Sequence, residues 1–272
     1  LCTARCTVDT IHNTRDAHFG GNLPAPTVKG LGELRNRVTT GGYELGIAFD
    51  GDGDRLGIID RTGRYLSANE ILVMLYWYLH EKKGWRGPVV RNLATTHMLD
   101  VMAASFGEVC YEVPVGFKYI SSKIDEVDAV LGGESSGGLT VRGHIHGKDS
   151  VYAASLFVEM ISVVEKSPSE IMDALTAAYG TFRMVEDNIT FTPEQKSYVD
   201  RVIFVERRLP DFGKPVSRVS YEDGCKVYFA DNSFVICRFS GTEPLLRIFA
   251  EASDEATARG FVTAFRELLA LE

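Results

Sequence analysis

Between two apolar stretches, Leu45-Gly46-Ile47-Ala48-Phe49 and Leu56-Gly57-Ile58-Ile59, the chain carries the run Asp50-Gly51-Asp52-Gly53-Asp54-Arg55. The flanking stretches read as buried strands, so the acidic run is the loop that leaves the first of them. Carboxylates packed this closely repel one another, and the arrangement makes sense mainly when a hard cation neutralises them. Glycine between the aspartates lets the backbone curl until the three side chains converge. Mg²⁺ is the expected ion, because it prefers oxygen ligands and works beside phosphate. A plain Asp/Gly turn is the bland alternative. A calcium EF-hand does not fit, since its sixth and twelfth positions, which need Gly and Glu, would fall on Arg55 and Arg61.

The 272 residues leave room for two domains and part of a third. A net charge of −8 disfavours nucleic acid or an anionic membrane as the main partner, while leaving room for a local basic pocket. The most apolar stretches, near Ile71–Tyr78 and Val151–Val164, are broken by polar residues and do not read as membrane spans. The start, Leu1-Cys2-Thr3-Ala4-Arg5-Cys6, lacks an initiator Met and a signal-peptide core and reads as a chain entered midway. Five scattered cysteines do not read as a disulfide framework, and Cys2 with Cys6 is too weak a pair for a metal site. A reducing cytoplasm is the expected setting.

Pattern along the chain predicts a short strand at Thr7–His12, an irregular Gly/Pro segment from Phe19 to Pro26, and a helix over Val28–Val38. Strand Leu45–Phe49 then delivers the aspartates at its C-terminal end, where ligands gather in open α/β sheets. From Ser67 onward, helices and strands alternate. Helices are expected at Ile71–Lys82, Thr96–Phe106, Tyr119–Val127, Lys148–Glu165 and Pro168–Tyr179, with strands at Val89-Val90, Glu108–Val113 and Ala129–Leu131. Past Thr181 the chain is richer in strands, at Asn188–Phe191, Ser217–Tyr221, Cys225–Phe229, Phe234–Arg238 and Leu246–Glu251, and closes with a helix over Asp254–Leu269. The expected fold is α/β: two α/β/α mixed-sheet domains, the first partial, over 1–64 and 65–180, plus a C-terminal α+β domain with an antiparallel sheet over 181–272.

Two further constellations carry chemistry. Gly133-Glu134-Ser135-Ser136-Gly137 follows a strand, and its Glu and Ser supply an acceptor and a donor-acceptor suited to neighbouring sugar hydroxyls, although a Gly/Ser loop is often only a loop. Arg238-Phe239-Ser240-Gly241-Thr242-Glu243-Pro244-Leu245-Leu246-Arg247 sets two arginines around a Ser-Gly-Thr turn. Hydroxyls and backbone N–H groups of such a turn can form an anion nest, and arginine forks match phosphate oxygens. A hairpin turn with two surface arginines is the alternative. The Walker pattern is absent, and His144 with His146 reads as a solvated loop pair rather than as metal ligands.

Taken in this order, the three loops resemble those of the α-D-phosphohexomutase superfamily, in its phosphoglucomutase/phosphomannomutase branch. Shorter matches support the likeness: FGGNLPAP at 19–26, VGFKYI at 115–120 and GKD at 147–149. The resemblance implies four domains around a cleft, and interconversion of hexose 1-phosphate and hexose 6-phosphate through a phosphoserine and a hexose 1,6-bisphosphate intermediate. It implies Mg²⁺ on Asp50, Asp52 and Asp54, with Glu134 and Ser136 on sugar hydroxyls. It puts Arg238, Ser240, Gly241, Thr242 and Arg247 on the non-reacting phosphate and Arg55 by the transferring phosphoryl group. Gly116, Lys118, Lys148 and Arg91 would line the cleft, Lys118 and Lys148 as catalytic cations.

The family's nucleophile lies in a Ser-His-Asn-Pro-like loop, and no such loop occurs here, since His12-Asn13 follows Ile11. The resemblance therefore implies the last half of domain 2 with domains 3 and 4, inactive alone, whose partners are a phosphosugar and the missing N-terminal domain. Ser150 stands where the family usually has Gly. Gly138 stands where phosphoglucosamine mutases carry His, which leans toward glucose or mannose phosphates. Two other readings are a non-catalytic phosphosugar-binding protein and a metal-dependent phosphatase with Asp50 as nucleophile.

Overall fold

The structure, a computed structural model, describes residues 6–241 and 243–271. Cys2 and Thr242 therefore lie outside the described residues. Two compact units make up the chain: Leu1–Val90 with Phe117–Leu175, and Arg91–Gly116 with Thr176–Glu272. The fold is mixed α/β, as the sequence pattern predicts, and none of the described helices is long and apolar enough to cross a membrane.

The first unit opens irregularly. No strand forms over Thr7–His12, because His12 adopts φ 55°, outside the extended region, and Asp9 turns to Arg37 (3.0 Å) and Tyr43 rather than facing a strand partner. Helix α1 (Gly32–Gly41) begins four residues later than the spacing suggests, after a turn closed by the Gly30 amide on the Thr27 carbonyl (2.9 Å). Its Leu34 and Val38 lie on Gly46 of β1 (Leu45–Phe49), where a Cβ would come within 2.7 Å of Val38. Strand β1 pairs antiparallel with β2 (Leu56–Asp60), and β2 pairs with β3 (Tyr65–Leu66).

Helix α2 (Ala68–Trp77) starts at a capping box: the Glu70 amide donates to Ser67 Oγ (3.3 Å) and the Ser67 amide donates back to Glu70 Oε2 (2.8 Å). Its run Ile71–Tyr76 is buried on every side and continues into a π turn at Tyr78–Lys82. Strand β4 (Val89–Asn92) runs from this unit into the second. Within the first unit it neighbours β6 (Leu131–Gly133), which pairs antiparallel with β7 (Leu139–Val141). Helices α4 (Phe117–Val127), α5 (Ser150–Val164) and α6 (Pro168–Tyr179) complete the layers.

The second unit contains α3 (Met98–Ser105) and β5 (Cys110–Val113), where the Leu93 amide donates to the Val113 carbonyl (3.0 Å). It also contains an antiparallel sheet of order β8-β12-β11-β10-β9: β8 Arg183–Thr190, β9 Val216–Ser220, β10 Cys225–Phe229, β11 Phe234–Phe239 and β12 Leu245–Ala252. Helix α7 (Pro193–Val199) leaves β8, and α8 (Glu255–Leu269) closes the unit, capped by Asp254. Ala258, Phe261, Val262, Phe265 and Leu269 form the buried stripe of α8 and join Val227, Val235, Ile248 and Ala250 in one core.

A group of charges is buried in this unit. Arg91, expected to line a cleft, is instead enclosed: Nε and Nη2 donate to Asp100 (2.6 and 2.8 Å) and Nη1 donates to Glu112 (2.6 Å). Lys226 of β10 donates to the same Glu112 oxygen (2.6 Å) and to the Leu93 carbonyl (2.7 Å). Burial alone would raise Glu112, but His97, Lys226 and Arg91 outweigh it and hold this carboxyl well below the usual range. Glu251 of β12 accepts from the His97 amide (2.7 Å), and its burial pushes its pKa up to about 7, against an ordinary 4.5.

A carboxyl raised in this way binds a proton in the folded state where the unfolded chain has lost it. Its contribution to stability is full below about pH 4.5 and disappears as pH rises through about 7. Glu251→Gln keeps an acceptor for His97 without the charge. Urea unfolding across this window should show the native chain losing on the order of 2–3 kcal/mol relative to the variant. Parallel pH profiles for the two proteins would contradict the assignment.

Candidate active site

The acidic run is the loop of the β1–β2 hairpin. Gly53 takes φ 72°, a left-handed conformation that disfavours a side chain, and its amide closes the turn on the Asp50 carbonyl (3.3 Å). Gly51 passes so close to Pro24 that a Cβ would come within 3.2 Å. The side chain of Asp50 points inward and accepts from the amides of Asp54 (2.9 Å) and Arg55 (3.0 Å) at Oδ1 and from Arg55 Nε (2.5 Å) at Oδ2. Burial would raise this carboxyl, but the Arg55 amide and guanidinium, with the Asp54 amide, outweigh it and bring its pKa to about 2, so it is ionised near neutral pH. One oxygen from each of Asp50, Asp52 and Asp54 lies within 4.8 Å of the others, a spacing that a single divalent ion spans.

Two other loops of the same unit meet this one. The Gly133–Gly137 run, expected to be a loop after a strand, is the turn of the β6–β7 hairpin, closed by the Glu134 amide on the Gly138 carbonyl and the Gly137 amide on the Glu134 carbonyl (3.0 Å each). Ser136 Oγ donates to Glu134 Oε1 (2.8 Å), so the two groups expected at sugar hydroxyls already hold one another. Gly137, at φ 105°, lies over the Leu56 backbone, where a Cβ would come within 3.2 Å of the carbonyl. Lys148, just before α5, places Nζ 2.6 Å from Asp54 Oδ2 and 3.8 Å from Glu134 Oε1. The structure thus gathers Asp50, Asp52, Asp54, Arg55, Glu134, Ser136 and Lys148. Lys118 is not hydrogen-bonded into this cluster; its ammonium rests over the Tyr119 ring at 4.8 Å.

The turn carrying the other group of expected residues belongs to the second unit. Arg238 of β11 and Arg247 of β12 are directly opposite one another in the antiparallel ladder, a like-charge pair that destabilises a sheet unless something neutralises it. Asp223 (3.3 Å) and Glu243 (2.5 Å) each take one guanidinium end, yet Nε of both arginines is buried without a partner. Two orphaned donors on facing arginines fit an anion. The nest is narrower than the sequence suggests, because the Ser240 amide already donates to the Leu245 carbonyl (2.8 Å). Gly116 lies in this unit beside Val115, whose amide donates to Asp223 (2.8 Å).

Three supporting roles escaped sequence reasoning. Asp223 holds Arg238 from the β9–β10 turn, in which a Cβ on Gly224 (φ 94°) would lie 2.5 Å from Arg238 Cβ. His144, read as solvated, bonds Asp149 (2.8 Å) and stacks on Tyr152 with ring centres 4.1 Å apart. Ser150 donates its hydroxyl to the Gly53 carbonyl and ties the start of α5 to the acidic loop. No local pattern marks these roles, which depend on contacts across the fold.

The fold is that of the phosphohexomutases. A solved phosphoglucomutase/phosphomannomutase family protein from Burkholderia thailandensis matches it with a TM-score of 0.75 at 23% identity, over 93% of this chain and 52% of that one. The chain belongs to the phosphoglucomutase/phosphomannomutase family: its models match as α/β/α domain II over residues 1–63, α/β/α domain III over 67–179 and the C-terminal domain over 185–268. A phosphoglucomutase/phosphomannomutase of Thermococcus kodakarensis is 29% identical over 97% of this chain and 55% of its own length. A phosphoglucosamine mutase of Pseudomonas fluorescens is 28% identical over 88% of this chain and 50% of its own. The chain thus spans about half the length of the relatives it matches.

The Glu134 turn depends on close packing beneath it. A Cβ on Gly133 would lie 2.3 Å from Leu72 Cδ2 of the buried helix α2. Gly133→Ala should lower stability by about 1–3 kcal/mol, the usual penalty for overpacking, as read by urea unfolding. An unchanged midpoint would show that this contact is slack.

Proposed function

We propose that this chain is the metal-, sugar- and phosphate-binding portion of a phosphohexomutase that interconverts hexose 1-phosphate and hexose 6-phosphate. We read it as domains over 1–64, 65–180 and 181–272, and the three family matches fall inside those limits. The observation that carries the reading is the meeting of three carboxylates, two cations and the Glu134–Ser136 pair within one unit.

In this reading Asp50, Asp52 and Asp54 hold Mg²⁺, and the clustered oxygens with Asp50 ionised near neutral pH suit that ion. Bound there, Mg²⁺ supplies Lewis-acid polarisation of a phosphoryl oxygen. Arg55 and Lys148 offset the charge that develops on the transferring phosphoryl group, with Lys118 as a further cation. Glu134 and Ser136 orient the sugar through its hydroxyls. Arg238, Arg247 and Ser240, with Gly241, Thr242 and Gly116, hold the phosphate that does not react; the orphaned Nε donors support this. The phosphoserine is proposed to reside on an N-terminal domain of the same protein. This chain alone is then inactive, and hexose 1,6-bisphosphate is the intermediate of the whole enzyme. Gly138 leaves the site without the histidine of phosphoglucosamine mutases, which favours glucose or mannose phosphates. Free thiols among the described cysteines suit a reducing cytoplasm.

Calorimetry with glucose 6-phosphate and mannose 6-phosphate tests the clamp. Arg247→Ala should weaken binding by about 1.5–3 kcal/mol, the range for hydrogen bonds to charged groups, while uncharged glucose should not bind measurably. Unchanged affinity in the variant would remove Arg247 from the site. ³¹P spectra of glucose 1-phosphate with catalytic glucose 1,6-bisphosphate should show no conversion by this chain and conversion once the phosphoserine domain is supplied. Binding with no conversion in either case would favour a non-catalytic phosphosugar-binding protein.

A further inference from the structure

Lys148 sits beside tethered residues. Asp149 next to it accepts from the Tyr152 amide (2.9 Å) and bonds His144, while Ser150 is tied to the Gly53 carbonyl. Its stem lies across Gly138, where a Cβ would come within 2.0 Å of Lys148 Cδ. From that anchor the ammonium contacts Asp54 Oδ2 (2.6 Å) and has Glu134 Oε1 at 3.8 Å. Arg55 occupies Asp50 Oδ2 on the other side of the cluster and reaches Asp54 Oδ1 only at 3.8 Å. Of the two cations, Lys148 is therefore the one seated on Asp54, and a second carboxylate stands within a small rotation of its tip.

We infer that Lys148 and the divalent ion compete for Asp54, and that the ammonium transfers to Glu134 when the ion takes Asp54. A dication and an ammonium on one carboxylate repel, whereas Glu134 is negative and next in reach. Metal loading then sets which carboxylate Lys148 neutralises, and so couples the acidic loop to the Glu134–Ser136 pair. The inference rests on the metal reading proposed above and goes beyond it by making the place of the Lys148 ammonium depend on the ion.

The test is Mn²⁺ binding to the full chain, followed by the paramagnetic resonance of free Mn²⁺, with Mg²⁺ as competitor. Lys148→Met should bind Mn²⁺ roughly two- to fivefold more tightly than the native chain, the scale of a partly exposed ion pair, and the gain should shrink in high salt. Gly138→Ala, which displaces the stem and keeps the charge, should move affinity the same way and serves if Lys148→Met does not fold. Glu134→Gln removes the second acceptor and should weaken Mn²⁺ binding by a similar factor. Equal or weaker binding by both Lys148→Met and Gly138→Ala would overturn the competition and leave Lys148 as a prop for the site. Failure of the native chain to bind Mn²⁺ would overturn the metal reading itself and this inference with it.

Discussion

Repulsion among like charges governs the first unit. Three carboxylates on one six-residue turn form a stable arrangement only if the backbone can curl tightly and cations stand nearby. The left-handed Gly53 supplies the curl, and Arg55 and Lys148 supply the charge. Lys148 reaches the turn only because Gly138 leaves space for its stem and because Ser150 ties the start of α5 to Gly53. Loops remote in sequence therefore converge on the same few oxygens.

The second unit repeats the device with the opposite sign. Arg238 and Arg247 face each other across the β11–β12 ladder, with one end of each guanidinium neutralised and Nε left over. The Arg91, Glu112 and Lys226 group provides the contrast within the same unit. Arg91 and Lys226 are buried more deeply, and each member of the group is paired at hydrogen-bond distance. Complete pairing of buried charge is an architectural feature, because an unpaired member would destabilise the fold. Incomplete compensation at a turn leaves capacity for a ligand.

Much of the fold was legible because its signals are local. The Cys225–Phe229 strand and the Pro168–Tyr179 helix appear with the expected bounds, and the Ser67–Glu70 start of α2 is a capping box. β9, β11 and β12 differ from expectation only at their ends, whereas β8 begins at Arg183, well before the expected Asn188, because it pairs with β12 along its whole length. β7 and α7 were missed: three residues after a glycine turn carry little period, and α7 is a seven-residue helix whose cap, Thr192 with Gln195, is its clearest mark. The strand expected at Thr7–His12 does not form, because Asp9 turns to Arg37 and Tyr43 and His12 adopts a left-handed conformation. At the site, residue types and spacing identified the aspartates and the arginines. They could not show that Arg91 is buried in an ion pair or that His144, Asp223 and Ser150 hold the loops, since those facts depend on neighbours far away in sequence.

We propose that the acidic turn of the first unit binds a divalent ion, that the Glu134 turn of that unit takes sugar hydroxyls, and that the Arg238–Arg247 turn of the second unit takes a phosphate. Amide chemical-shift mapping of the ¹⁵N-labelled chain tests it most directly, with Mg²⁺ added first and glucose 6-phosphate second. The account predicts that Mg²⁺ shifts residues 50–55 and that the phosphosugar shifts residues 133–138 and 238–247. Shifts confined to other surfaces, such as the cavity of about 330 Å³ lined by Ser121, Ile124 and His146, would contradict it.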